Sequence, residues 1–513
     1  MLEEELRWLK GQLFGRSSEK APQPGGSPDQ KLLFNEAEVL AAIAAADEAE
    51  AARSTQIAAY ERKAKPHRGG REPIPPHLPR IEVQHELAQH QKWCPHEDVC
   101  WAMNRMGEDT SERYHYEPPK LYVERHVRPK YSCPHCHAGV HRASEPANIL
   151  PKSNATASLL AHLVTAKFVD GLPLYRVCRQ MERQDVTLSP GTVGTWVNSL
   201  GGKAVVPLIN LMNEELLSLS FIHMDETYLQ VLHSEKAPSS EHYMVVRGAG
   251  PPGRRIILFD YLPSRTVEGL KGLLIGADGP FSGGLLTDGL EQYDSIAQMF
   301  RLRHFGCLQH CRSYYYKAAK VAELPSGRSL ARVAIAEYLG RIFHIEHEID
   351  ELREKCRRAG VGLPAGEILK RRREQSAPIF TAFKKWVDDL LPGVPPKSAL
   401  GKALSYTASQ WPKLVLHLDH PEVPAHNNYL ENQIRPFAIG RRAWLFANNP
   451  FGARASANLY SLVSTARANG LEPYAYLRHL FEQLPVASTV DALEALLPFK
   501  STATASPIAA RAA

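Results

Sequence analysis

Asp225 and Glu226 stand side by side in the segment "FIHMDETYLQVL", residues 221 to 232. Ile222 and Met224 fall on one side of an extended segment, Phe221 and Asp225 on the other, and Tyr228, Val231 and Leu232 continue the strand-like composition. A carboxylate in a half-buried strand is costly unless it is paired, hydrogen-bonded or bound to a metal. Two more acids are candidates to share that place. Asp288 closes the short strand-like run in "FSGGLLTDGLEQYDSI", and Glu431 lies in "NNYLENQIRPFAIGRRAWLF", helical at least through Ile434 before Pro436. If the two strands are neighbours and the helix packs on their sheet, three carboxylates converge. Such a set suits one or two Mg²⁺ ions, which prefer oxygen ligands. Two ions about 4 Å apart would activate an attacking oxygen and stabilise a leaving one in phosphoryl transfer.

A second group with ligand chemistry lies nearer the N-terminus. "WCPHEDVC" and "YSCPHCH" supply Cys94, Cys100, Cys133 and Cys136, the last two as a CxxC knuckle. Four thiolates from two loops suit a tetrahedral Zn²⁺, with His96, His135 or His137 as substitute ligands. The alternative is a set of free thiols in a small β-rich domain. Eight cysteines in 513 residues argue against a disulfide framework.

The elements that must position these residues can be read along the chain. Its length implies several domains, and an apolar share of 44% is ordinary for a globular protein. No run of about 18 apolar residues spans a membrane, and the charged N-terminus lacks a signal peptide's apolar centre; both point to a cytosolic protein. The net charge of +6 is modest, but five arginines and one acid, Glu431, lie between His426 and Gly470. That environment favours phosphate-bearing partners.

Residues 1–66 are expected to be helical, beginning with Leu2, Leu6, Leu9 and Leu13 at coiled-coil spacing, which calls for a partner helix. Residues 67–80 are a Pro- and Gly-rich linker, and 81–148 the zinc-binding candidate. Residues 149–212 read as helices joined by short turns, with Ser189 capping "PGTVGTWVNS". This outline fits a helix-turn-helix and a plain helical bundle equally. Residues 213–312 hold three β-rich runs, a helix and a further strand, the pattern of a mixed α/β sheet. Residues 313–420 are a helical insertion, 421–486 return to the core with Glu431, and 487–513 read as a disordered tail.

"HMDET", "TDGLEQYD", "CLQH", "NNYLENQIRP" and "GRRAWLFANNPFGARASANLYSLVSTARANGLEPYAYL", in this order, resemble the DDE transposases of the insertion sequence 66 family. The likeness extends to "LKGQLFGRSSEK", "LPR" and "KFVDGLPLYR". It implies an α/β ribonuclease H-like catalytic core with flanking helices and a large α-helical insertion, preceded by N-terminal helical, zinc-binding and helix-turn-helix modules. It also implies Asp225, Asp288 and Glu431 as Mg²⁺ ligands that cut the ends of a mobile DNA element and join them to target DNA. Arg435, Arg441, Arg442, His310 and Arg312 are the candidates for DNA contact. The implied partners are DNA, further copies of the chain and small accessory proteins of the same element, working in a bacterial cytoplasm at the nucleoid. The chain departs from the family in the wide Cys94–Cys100 spacing and in "RRAWLF", where the family has a Lys and an Asn. Two other readings compete: a DNA-binding regulator with a degenerate core, and a ribonuclease H-like nuclease or resolvase that cuts without joining.

Overall fold

A computed structural model describes residues 121, 123–127, 130, 131, 141, 142, 146–151, 153–321 and 329–501. The chain divides into two units, Ala44–Ala143 on one side and Met1–Ile43 with Ser144–Ala513 on the other. In the smaller unit, β1 (Lys130–Tyr131) pairs antiparallel with β2 (His141–Arg142). Cys94, Cys100, Cys133 and Cys136, like the expected N-terminal coiled coil, lie outside the described residues.

Among the described residues the larger unit opens with four helices, α1 (Ala157–Phe168), α2 (Leu174–Glu182), α3 (Pro190–Ser199) and α4 (Val206–Leu217). Ser189 caps α3 as expected: its hydroxyl accepts from Thr192 N, and Pro190 occupies the first turn, where a missing N–H costs nothing. Leu160, Val164, Val193 and Trp196 bury into the same hydrophobic core as the sheet.

Five strands follow: β3 (Phe221–Gln230), β4 (Glu241–Ala249), β5 (Ile256–Leu262), β8 (Gly284–Thr287) and β9 (Arg303–Gly306), in the spatial order β5-β4-β3-β8-β9. The first three form an antiparallel meander, and β8 and β9 add in parallel beside β3. Between β5 and β8 lie α5 (Val267–Gly272) and a small ribbon of β6 (Ile275–Gly276) and β7 (Gly279–Pro280); α6 (Glu291–Phe300) crosses over from β8 to β9. This mixed sheet with flanking helices is the ribonuclease H-like arrangement. Gly250 makes the β4–β5 turn possible: its φ is +101°, and a Cβ there would meet Arg254 O at 2.3 Å.

The exposed edge of β5 is covered by α14 (Pro450–Ala468). Thr465 Oγ1 accepts from Ile257 N at 3.0 Å and donates to Ile257 O at 2.9 Å, and Ser461 Oγ accepts from Phe259 N at 2.8 Å. One turn beyond, Asn469 Nδ2 donates to Arg255 O at 2.7 Å. Side chains four residues apart on one helix face thus satisfy the open strand edge, which would otherwise invite pairing with another chain.

Between Leu308 and Val415 the described residues form α7 (Leu308–Val321), α8 (Leu330–Val333), α9 (Gly340–Arg358), α10 (Ala365–Arg371), α11 (Ala377–Leu390) and α12 (Ala399–Val415) around a second core that includes Tyr315, Ile342, Phe380 and Phe383. Arg372 is fully buried there. It grips Glu346 with two bonds of 2.9 and 2.7 Å, and its other N–H groups reach the carbonyls of His417, His420 and Val423. The insertion is thereby bolted to the segment that leads into α13 (Asn428–Trp444), the helix of Glu431.

Of the expected disordered tail 487–513, residues 487–501 are described and differ from that expectation. After α15 (Pro473–Gln483), α16 (Val490–Glu494) forms, and Leu496 and Leu497 bury into the main core; Tyr476 donates to Leu496 O at 3.0 Å. No helix among the described residues is long and apolar enough to cross a membrane.

Candidate functional site

Along β3, alternate residues face alternate sides. His223, Asp225 and Thr227 share the side on which α13 lies. The buried side chain of Asn427, immediately before α13, accepts from His223 Nδ1 at 2.8 Å and donates to Met224 O at 3.3 Å. Because the Asn427 amide nitrogen is committed to a carbonyl, its oxygen faces the ring, and His223 must be the tautomer that carries its proton on Nδ1. Burial, only partly offset by this bond, lowers His223 to a pKa of about 4. At the other end of the helix, Arg441 Nη1 donates to Thr227 Oγ1 at 3.2 Å. The helix is thus fastened to the strand at both ends, with Asp225 and Glu431 between the fastenings.

Asn427 also reaches a third segment, since its backbone N–H points to Cys307 Sγ at 3.2 Å. Cys307 follows β9 and begins the turn into α7, and its own N–H donates to Thr287 O at the end of β8. Asp288 is the next residue. Continuing the β3–β8 register by two places sets it across from Asp225, one residue past the end of β8.

Asp225 sits in a strongly negative field. Its carboxyl is raised well above the usual range, first by burial and then by Glu431, Glu226 and Asp288, with His310 opposing. His310 is raised well above an ordinary histidine: burial alone would lower it, but Cys307, Glu431 and Asp225 together overcome that. His310 Nδ1 lies 3.7 Å from Glu431 Oε1, an ion-pair distance too long for a hydrogen bond. Cys307 Sγ, an imidazole nitrogen of His310 and a carboxylate oxygen of Glu431 all lie within 4.8 Å of one another.

This geometry corrects the expected three-carboxylate cage. Among the described residues, the ligand atoms close enough to share one ion come from Cys307, His310 and Glu431, and neither aspartate belongs to that group. Asp225 Oδ1 accepts from Glu226 N at 2.8 Å and Asp288 Oδ1 from Leu290 N at 3.0 Å, so each aspartate commits an oxygen to nearby backbone. A sulfur, an imidazole and one carboxylate do not fit Mg²⁺, which takes oxygen ligands. They fit a softer divalent ion such as Zn²⁺ or Co²⁺. Mg²⁺-dependent cleavage and strand transfer through an Asp225–Asp288–Glu431 triad is therefore not the function this site supports.

The remaining candidates are distributed unequally. Glu226 points to the opposite side of β3, where Arg265 Nη1 at 3.0 Å and Tyr293 OH at 2.7 Å hold it. Burial and Asp288 raise its pKa, and these two partners pull it back. Arg312 stacks on Phe343 and Tyr316. Arg441 is buried, and burial lowers its pKa to about 10. Arg442 is exposed and Arg435 partly so. Sequence reasoning missed Asn427 altogether. The only hint was an Asn pair directly before a helix, and that pattern ordinarily marks a cap.

Comparison with known proteins gives one consistent result. The profile described as "Transposase IS66 family" matches residues 152–455, more than half of the chain. Three narrower profiles match beside it: "Transposase C of IS166 homeodomain" at 1–83, "zinc-finger binding domain of transposase IS66" at 94–137 and "IS66 C-terminal element" at 461–499. Among curated proteins, "Uncharacterized protein y4jD" of Sinorhizobium fredii is 29% identical over 441 residues, covering 83% of this chain and 81% of its own length. "Uncharacterized protein y4hP" of the same organism is 25% identical over 521 residues, covering 97% and 88%.

Proposed function

The chain belongs to the IS66 transposase family, and on that premise we propose that it binds DNA and cuts phosphodiester bonds as a ribonuclease H-like nuclease, without joining the cut ends. The observation that carries this reading is the gathering of His310 and Glu431, 3.7 Å apart, beside the perturbed carboxyl of Asp225. A pure DNA-binding regulator has no use for several partly buried acids and a histidine held at one sheet end. Perturbed groups collected in this way mark chemistry.

The residues divide the work. Without an ion, His310 is kept cationic by its acidic neighbours; as a ligand it must give up that proton, and the ion's charge would then offset the repulsion between those acids and an incoming phosphate. Asp225, its carboxyl raised well above the ordinary range, can hold and return a proton. Asp288 adds negative potential beside it. A divalent ion held by Cys307, His310 and Glu431 would supply Lewis-acid polarisation of a phosphate oxygen. Arg435, four residues after Glu431, and Arg442, seven further on, fall on one face of α13 and track the phosphates. Cys94, Cys100, Cys133 and Cys136 are the proposed ligands of a structural Zn²⁺ outside this site.

The test is incubation of the purified chain with supercoiled plasmid and Zn²⁺, Co²⁺, Mn²⁺ or Mg²⁺ in turn, scoring nicks and joined products separately. Nicking that Glu431→Gln and His310→Gln both abolish supports the proposal. DNA binding with no cleavage in any ion would favour the regulator, and joined products would overturn the claim of cutting alone. Co²⁺ loading should give thiolate charge-transfer absorption in the near ultraviolet that Cys307→Ser weakens, leaving the share due to Cys94, Cys100, Cys133 and Cys136.

A further inference from the structure

Helix α13 ends in a turn that the site itself does not require. Leu445 has φ 67° and ψ −50°, and Phe446 N donates to Trp444 O at 2.9 Å. This is a γ-turn of the rare, strained hand, centred on a branched apolar residue where glycine would be at ease. The residues around it hold it rigid. Leu445 N donates to Arg441 O at 2.7 Å, and Trp444 packs edge-on against Phe437. Just beyond the turn, Ala447 N donates to Gln230 O at 2.9 Å and Leu232 N to Ala447 O at 3.1 Å, so the chain is zipped to the end of β3. The outcome is two adjacent apolar side chains held in water: Leu445 is 61% exposed and Phe446 42%.

Strain of this kind persists where the surroundings enforce it, and it concentrates at sites of function. The charge around the turn identifies the partner. Glu431, Arg435 and Arg442 form a stripe along the face of α13 that leads to the turn. No acidic residue occurs between Glu431 and Glu472. A rigid apolar pair beside cations, on a helix that starts at a phosphate-cutting site, matches the wedges with which proteins part stacked bases.

We propose that Leu445 and Phe446 form a wedge that enters a DNA base step and unstacks it while phosphates between that step and the cut rest on Arg435 and Arg442. The proposal rests on the DNA-cutting reading above and goes beyond it by assigning the substrate a required distortion. Fourteen residues of helix separate Glu431 from Leu445, about 21 Å at 1.5 Å per residue. At 3.4 Å per base step this places the opened step roughly six steps from the cut.

The experiment uses the full chain and a DNA duplex carrying 2-aminopurine at successive positions, with binding followed by anisotropy on the same samples. The expected result is a fluorescence rise at one or two neighbouring positions, about six nucleotides from the site of nicking. Leu445→Ser with Phe446→Ser should remove that rise while changing Kd by less than tenfold. Phe446→Ser alone, at an exposed position, should remove at least half of it. Binding without any rise, or a rise unchanged in both variants, would overturn the wedge and leave DNA cutting standing. A change in sedimentation on replacing the pair would assign it to a second copy of the chain and would also overturn the wedge. Absence of DNA binding altogether would defeat both readings.

Discussion

Replacing Asn427 with alanine removes two bonds inside the core and leaves both partners behind. His223 Nδ1–H loses its acceptor at 2.8 Å, and Met224 O loses its donor at 3.3 Å. Both lie where water does not reach: Asn427 is 0% exposed and His223 4%. A buried polar group left unsatisfied costs about 1–3 kcal/mol, so the variant, with two such groups, should lose about 2–6 kcal/mol. The backbone bond from Asn427 N to Cys307 Sγ survives the change, which confines the loss to the side chain. Urea unfolding followed by circular dichroism should show a lower midpoint with an unchanged slope. Asn427→Asp separates the two bonds: its carboxylate still accepts from His223 but repels Met224 O, and it raises the pKa of His223 from about 4. That narrows the gap to the unfolded value of about 6.5, so the aspartate variant should lose less stability than the alanine variant as pH falls from about 6.5 to about 4. A loss below about 0.5 kcal/mol in Asn427→Ala would refute the view that this side chain fastens α13 to β3.

Three further outcomes follow from the same geometry. Arg372→Met should destabilise by about 3–5 kcal/mol, because it strands Glu346 without its partner. Adding Glu346→Leu should restore the part due to the stranded carboxylate but not the part due to the carbonyls of His417, His420 and Val423, and no restoration in the same urea assay would refute the pairing argument. His417 is buried, with its pKa lowered by burial and by Arg372 to about 4. The unfolded chain therefore takes up a proton first as pH falls below about 6.5, and up to about 3 kcal/mol is lost between pH 6.5 and 4; His417→Gln should flatten this part of the stability profile. Arg435→Gln with Arg442→Gln should reduce the slope of log K against log salt by about 1.8 units, near 0.9 for each phosphate contact; an unchanged slope would remove both from the DNA surface.

What could be read from the sequence followed the strength of local patterns. β3 was legible because an apolar alternation surrounds Asp225, and α3 because Ser189 and Pro190 mark its start. β9 escaped notice: "RHFG" is four residues long, and only Phe305 and Gly306 are buried. Arg372 stands in "KRRREQS", which reads as a solvated basic run, yet it is the arginine at the centre of the insertion. The ordered stretch Val490–Glu494 and the buried Leu496 and Leu497 had a signal in the apolar "LEALLPF", outweighed by the low-complexity residues behind it. The site was half legible. Carboxylates in apolar strands are visible as anomalies, but nothing in "CLQH" says that its thiol and imidazole meet a glutamate more than a hundred residues later. Likewise, the partner of Asn427 lies 204 residues away in sequence. Long-range polar contacts leave no periodic trace, because each requires only one residue at each end.

The position of Glu431 is therefore set by parts of the chain that have no chemistry of their own. From the insertion, Arg372 holds the carbonyls of His417, His420 and Val423. Two residues later, Ala425 O accepts from Leu308 N, beside Cys307. Two residues after that, Asn427 locks onto β3, and Glu431 N closes the first turn of α13 on Asn427 O at 3.1 Å. Each link fixes the next over a span too short to absorb slack, so a buried ion pair in a helical insertion governs where a carboxylate stands in the sheet domain. The insertion is then part of the site's scaffold rather than an appendage. Loosening it should separate Glu431 from His310 before it unfolds the sheet, because the strands keep their own ladders and the edge bonds from α14.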